Sequence, residues 1–200
     1  MRQVYYVAGT ILAFIIAGFF FFQPENRELD KPVPLPDVNL ITKDQRRVDS
    51  KDFLGHWSLV YLGYTHCPDI CPASLGHMKA IKATLKTGPH IKNLRFVLIS
   101  VDPKRDSPER LRKYLDFFDK EFEGYTGEKP DLDMLVAGLG QTYGFEDTQK
   151  KDYEVFHPSA FFLINPKGQW VRRFDEMDDI EGISKAITET VLRPRNKDEM

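Results

Sequence analysis

Gly63-Tyr64-Thr65-His66-Cys67-Pro68-Asp69-Ile70-Cys71-Pro72 holds both cysteines of the chain, spaced C-x3-C, and the rest of the sequence is read outward from it. The run before it, Ser58-Leu59-Val60-Tyr61-Leu62, reads as a buried strand. After it, from Ala73 to about Leu85, apolar residues recur at helical spacing (Leu75, Met78, Ile81, Leu85). The cysteines therefore sit where a strand hands over to the first turn of a helix. At i and i+4 they share one face of that helix, with Cα atoms roughly 6 Å apart. This separation suits two outcomes, both thiolates on one metal ion or a disulfide. The free amides and dipole of a helix N-terminus favour the thiolate that either chemistry needs. Pro68 suits the start of such a helix, where its missing N–H goes unused.

Further along the chain, strands and helices alternate. Residues 38–41 and 46–48 flank Thr42-Lys43-Asp44-Gln45 as an N-terminal β-hairpin. Residues 94–101 form a second strongly apolar strand that ends at Asp102-Pro103. Ser107-Pro108-Glu109-Arg110 is a capped helix start, followed by a core stripe of Leu111, Tyr114, Leu115 and Phe118. A Gly-punctuated helix is expected over residues 131–143 and a third core strand over 160–164. Asn165-Pro166-Lys167-Gly168 turns the chain into a further strand over 169–174, and a last helix covers 179–192. Such an order describes an α/β domain with a mixed sheet flanked by helices, over residues 37–192, with a polar tail over 193–200.

Two hundred residues with 42% hydrophobic content fit one domain of ordinary size plus an appendage. With 28 basic and 30 acidic residues, nothing suggests a nucleic-acid-binding surface. The appendage is the N-terminus. Residues 4–22 carry no charge and approach the roughly 20 apolar residues that span a bilayer. A cleavable signal peptide is the rival reading, but the segment runs into Phe19-Phe20-Phe21-Phe22 with no small-residue cleavage site behind it. The expectation is one uncleaved transmembrane helix over residues 1–23, with Tyr5 and Tyr6 at an interface. A very short N-terminal tail bearing Arg2 favours an N-in orientation, which leaves the domain outside the cytoplasm. Without an Arg- and Ser-rich transit peptide, the expected setting is a bacterial inner membrane facing the periplasm. Pro24, Pro32, Pro34 and Pro36 make residues 24–36 an extended linker that holds the domain off the membrane.

Two cysteines leave a soft metal two-coordinate, so a third ligand is sought among the five histidines, His56, His66, His77, His90 and His157. His157 stands immediately before the third core strand, and in a thioredoxin-like sheet the loop entering that strand lies beside the cysteine helix. His66 adjoins Cys67, but neighbouring residues point in different directions. Two thiolates and an imidazole suit copper, since thiolates select Cu(I) and imidazole also accepts Cu(II). A structural zinc site would want a fourth protein ligand, and none stands out. Asp69 either tunes the site or accepts the first helix amides, and Asp102 with Arg105 reads as a loop ion pair or a solvated turn.

The cysteine stretch, Ser100-Val101-Asp102-Pro103-Lys104-Arg105-Asp106-Ser107-Pro108-Glu109, and a lone histidine ahead of Gly168 together resemble the Sco/SenC family across residues 37–192. The resemblance implies a membrane-anchored thioredoxin-like fold that binds copper and helps assemble the CuA centre of cytochrome c oxidase. It implies Cys67, Cys71 and His157 as copper ligands and the CuA-bearing oxidase subunit as partner, with other copper chaperones or a thiol reductant as further partners. Many members follow the histidine with Ser or Thr, where this chain has Pro158, whose preceding bond can be cis.

Two functions of different classes remain in view. One is a metallochaperone, not an enzyme, that passes copper on by ligand exchange. The other is a thiol–disulfide oxidoreductase that reduces a partner's cysteines before metallation. A C-x3-C disulfide closes a very short loop and stabilises little, so a purely structural bridge is disfavoured. The same thiols could also cycle through a sulfenic acid as a peroxidase. Only copper binding should need His157.

Overall fold

The computed structural model describes residues 27–86, 94–147, 149–150, 152–175 and 179–192. The expected membrane anchor, the first linker residues, His90 and the expected C-terminal tail lie outside the described residues. No helix among the described residues is long and apolar enough to cross a membrane.

In chain order the elements are β1 (Arg27–Pro34), β2 (Asn39–Thr42), β3 (Arg47–Asp49), β4 (Trp57–Gly63), α1 (Ile70–Leu85), β5 (Leu94–Ser100), α2 (Pro108–Phe118), β6 (Glu123–Thr126), α3 (Lys129–Gly138), β7 (Gly144–Phe145), β8 (Val155–Phe156), β9 (Ala160–Ile164), β10 (Gln169–Asp175) and α4 (Ile180–Leu192). Eight strands form one mixed sheet in the order β1-β10-β9-β4-β5-β6-β2-β3. β4, β5 and β6 are parallel, as helical crossovers require, and the remaining pairs are antiparallel. β7 and β8 make a separate small ribbon. The arrangement fits the expected thioredoxin-like architecture, with the β2–β3 hairpin extending one edge.

β4 lies in the middle of the sheet, between β5 and β9, and this explains why Leu59 to Leu62 are apolar without alternation: the strand is covered on both faces. Phe161, Phe162 and Leu163 of β9 are buried for the same reason. Leu75, Met78 and Ile81 of α1 sit in the core, and α1 packs against α4. The α1 register thus points its N-terminus at the end of β4.

Three boundaries differ from the sequence expectation. Residues 27–34, read as linker, form β1, which pairs with β10 through Arg27↔Arg173 and Pro34↔Gln169, with a register break between Glu28 and Val33. An edge strand tolerates Pro32 and Pro34 because their missing N–H groups cost no ladder bond on the open side. α1 begins at Ile70 rather than at Pro68. Proline disfavours helical backbone in the residue before it, which keeps Cys67 in the loop. α3 stops at Gly138 instead of continuing to Tyr143, because Gly140 turns left-handed (φ +65°) and the Gln141 amide reaches back to the Val136 carbonyl at 3.0 Å.

Candidate metal centre

Cys67 and Cys71 enter the site from the β4–α1 connection. Cys71, in the first turn of α1, is fully buried, whereas Cys67 in the preceding loop is half-buried, and both are free thiols. Asp69 occupies the N-cap position, but its side chain makes no capping hydrogen bond. The Cys71 amide instead donates to the Cys67 sulfur at 3.4 Å. A helix N-terminal donor is therefore spent on a sulfur rather than on the Asp69 carboxylate.

His157 comes from the far side of the sequence, immediately after β8 and ahead of β9. Because β9 pairs with β4, the loop entering it lies beside the end of β4. The His157 Nε2 is 3.3 Å from the Cys71 Sγ, and one ligand atom from each of Cys67, Cys71 and His157 lies within 4.8 Å of the others. The His157 Nδ1 lies 3.3 Å from the Pro158 carbonyl oxygen. A proton on Nδ1 can be donated there, which leaves the Nε2 lone pair facing the sulfurs. The described residues contain no cis peptide bond, so Pro158 is trans and the imidazole still faces the cysteines.

Two tyrosines frame the imidazole. The Tyr61 and Tyr64 rings stand edge-on to His157, with centroids 5.9 and 5.6 Å away. Burial, with the neighbouring sulfurs adding to it, pushes the Tyr64 phenol up to about 12. Burial likewise pushes the Cys71 thiol above its ordinary range, and the adjacent Cys67 sulfur adds to the rise. Hydrogen bonds from the Tyr64 backbone and the Tyr61 hydroxyl act in the opposite sense, toward the thiolate. An apo centre of this kind holds Cys71 as a thiol until a cation displaces its proton.

The other residues singled out in the sequence fall beside the centre. His66 turns away from the cysteines: its Nδ1 lies 3.7 Å from the Asp106 Oδ1, and it groups with Asp102 and Asp106. Asp102 and Arg105 form a buried ion pair through Asp102 Oδ2, not a solvated turn. The Arg105 guanidinium lies 3.5 Å from the Tyr153 ring centroid, and Tyr153 donates to the other Asp102 oxygen at 2.6 Å. Sequence reasoning passed over Asp106, which is fully buried and accepts from the Thr65 amide, the Thr65 hydroxyl and the Ser100 hydroxyl. It also passed over Tyr61, Tyr64 and Tyr153. The Tyr61/Tyr64 spacing next to the cysteines was the only signal, and it does not reveal which way the rings point.

The family model described as SCO1/SenC matches residues 30–192. A human protein, "Protein SCO1 homolog, mitochondrial", is 32% identical over 173 residues, covering 86% of this chain and 57% of its own length. The chain spans between 47% and 61% of the first such curated relatives. The crystal structure of yeast Sco1 with copper bound superposes with a TM-score of 0.77 at 28% identity, covering 84% of this chain and 93% of that one. The crystal structure of Arabidopsis thaliana ScoI with copper bound gives a TM-score of 0.71 at 29% identity, covering 78% and 98%.

Proposed function

The chain belongs to the SCO1/SenC family, and from that premise we propose that it is a copper metallochaperone. Cys67, Cys71 and His157 bind one copper ion and release it to the CuA-bearing subunit of cytochrome c oxidase during assembly. The observation that carries the reading is the convergence of two sulfurs and an imidazole nitrogen within 4.8 Å of one another.

That donor set fits copper. Two thiolates satisfy the soft Cu(I) ion, and the imidazole adds a ligand that Cu(II) accepts as well. Three coordination with one half-exposed sulfur leaves a side open to an incoming ligand, so copper can leave by stepwise exchange instead of free dissociation. The copper-bound yeast and Arabidopsis structures support the cargo assignment. The oxidase as acceptor rests on the family resemblance. In this reading residues 1–23 anchor the domain to a bacterial inner membrane, with the copper site in the periplasm.

The test is an anaerobic titration of the reduced full chain with Cu(I) and Cu(II), beside Cys67→Ser and His157→Ala. One tightly held copper per chain, with a sulfur-to-Cu(II) charge-transfer band lost in Cys67→Ser and altered in His157→Ala, is the expected result. Copper binding and transfer that survive His157→Ala would sink the site assignment.

A second reading is favoured by one observation, the helix amide that points at the more accessible Cys67 sulfur. It is that of a thiol–disulfide oxidoreductase, with Cys67 attacking and buried Cys71 resolving. Such an activity needs both cysteines and leaves His157 dispensable, so the same variants separate the two.

A further inference from the structure

The chain reaches His157 from the β7–β8 ribbon, two residue pairs that share no ladder with the main sheet. Tyr153, four residues ahead of His157 and buried, ties that approach to the loop after β5. Its hydroxyl donates to Asp102 Oδ1 at 2.6 Å, and the Arg105 guanidinium lies 3.5 Å from its ring centroid. Arg105 Nε donates to the other Asp102 oxygen, so hydroxyl, carboxylate and guanidinium close on one another. Phe145 of β7 stands edge-on to the same ring, with centroids 5.9 Å apart. Asp102 is fully buried, and its carbonyl accepts the Asp106 amide at 2.9 Å. Asp106 in turn holds Thr65, two residues before Cys67. A tyrosine that only filled the core would need the ring but no hydroxyl bond to a buried carboxylate.

We propose that Tyr153 is a positioning residue of the copper site, clamped by Asp102 and Arg105 so that the loop between β5 and α2 sets where His157 stands relative to the cysteines. Asp106 holds the cysteine arm, Asp102 holds the histidine arm, and one turn carries both carboxylates. The inference rests on the copper reading above. Releasing the clamp should weaken one oxidation state more than the other. Two thiolates satisfy soft Cu(I), whereas Cu(II) draws more on the imidazole nitrogen. A histidine arm that drifts is therefore felt first by Cu(II). A general loss of stability would weaken both ions alike.

The experiment compares the full chain with Tyr153→Phe, His157→Ala and the double variant, each titrated with Cu(I) and with Cu(II). Tyr153→Phe keeps the ring and removes only the hydroxyl. Its Cu(II) affinity should fall about tenfold, the lower end of what groups behind a metal ligand contribute, with Cu(I) affinity unchanged. In the His157→Ala background the same substitution should cost nothing further, because the group it positions is gone. In the copper-free protein, the His157 imidazole 1H–15N correlations should broaden or split in Tyr153→Phe. If Tyr153→Phe does not fold, Arg105→Gln loosens the same ring and should give the same pattern. Wild-type Cu(II) affinity in the variant overturns the proposal. So does a loss shared equally by Cu(I) and Cu(II), or one that persists without His157, since either makes Tyr153 merely structural. A wild-type chain that takes up no copper instead defeats the copper reading, and unchanged copper-free His157 correlations in the variant then overturn the positioning role.

Discussion

Asp106 accepts the Thr65 amide at 2.8 Å and the Thr65 hydroxyl at 2.6 Å, so the loop after β5 is fastened to the loop that carries Cys67. Ser100 donates to the same carboxylate at 2.7 Å, and Arg110 reaches the Thr65 hydroxyl oxygen at 2.7 Å. The cysteine loop is thereby held by side chains from β5 and α2, not by its own turn geometry alone.

Asp106→Asn should therefore damage both stability and the proposed copper site. The amide NH2 can only donate, and it would face donors that have lost their acceptor, at a cost of about 1–3 kcal/mol. Urea unfolding should register that loss, and copper affinity should fall with it because Thr65 precedes Cys67 by only two residues. A variant of full stability with weakened copper binding would contradict the fastening role.

Gly63 lies at the end of β4 where a side chain has no room. A Cβ there would stand 2.8 Å from Tyr61 Cε1, 3.2 Å from the Cys71 Sγ and 3.2 Å from Leu98 Cδ1. Gly63→Ala should cost about 1–3 kcal/mol through overpacking. Because the displaced atoms include the sulfur of Cys71, a proposed ligand, the charge-transfer band of the copper-loaded protein should change as well.

At the opposite end of the parallel strands, Arg95 is ringed by Asp52, Glu123 and the Tyr125 hydroxyl, donating to the Asp52 carbonyl at 2.6 Å and to Glu123 at 2.8 Å. Arg95→Met strands two partly exposed carboxylates. The expected loss is about 2 kcal/mol, below the roughly 3–5 kcal/mol of a fully buried pair. Copper stoichiometry should not change, since this cluster sits at the start of β5 and the cysteines follow the end of β4. Thermal melts and copper titration of the same preparation check both halves.

Acid should destabilise the fold through two carboxylates. Burial alone would raise Asp52, but hydrogen bonds from Tyr125 and Arg95 hold it below its usual range. Burial opposes Asp119 in the same way and is outweighed by the Lys82 ammonium, 2.7 Å away. Each folded pKa is depressed, so the stabilisation is present above the unfolded value of about 3.9 and is lost as pH falls through the folded one. Denaturant midpoints should be insensitive to these groups near neutrality and should drop below about pH 4. In Asp119→Asn the midpoint should start lower and decline less steeply.

The cysteine helix, the central strands and the position of His157 were legible because each follows from local pattern and chain order. Apolar runs mark β4, β5 and β9, and the histidine stands just ahead of the last of these. What stayed hidden depends on distant partners. β1 reads as a Pro-rich tether because its pairing partner, β10, lies far along the chain. Asp106 reads as one more polar turn residue, since Thr65 reaches it only after folding. The start of α1 at Ile70 is not legible, because Pro68 is as compatible with the loop before a helix as with its first turn. In β7 and β8, strands of two residues carry too little pattern to be seen.

The central claim is a copper ion held by Cys67, Cys71 and His157, and the most direct measurement is copper K-edge X-ray absorption on the reduced, Cu(I)-loaded full chain. Two sulfur scatterers and one imidazole nitrogen in the first shell, with the nitrogen lost in His157→Ala, is the predicted result. A shell of sulfur alone in the wild type, or a His157→Ala spectrum identical to it, would contradict the account.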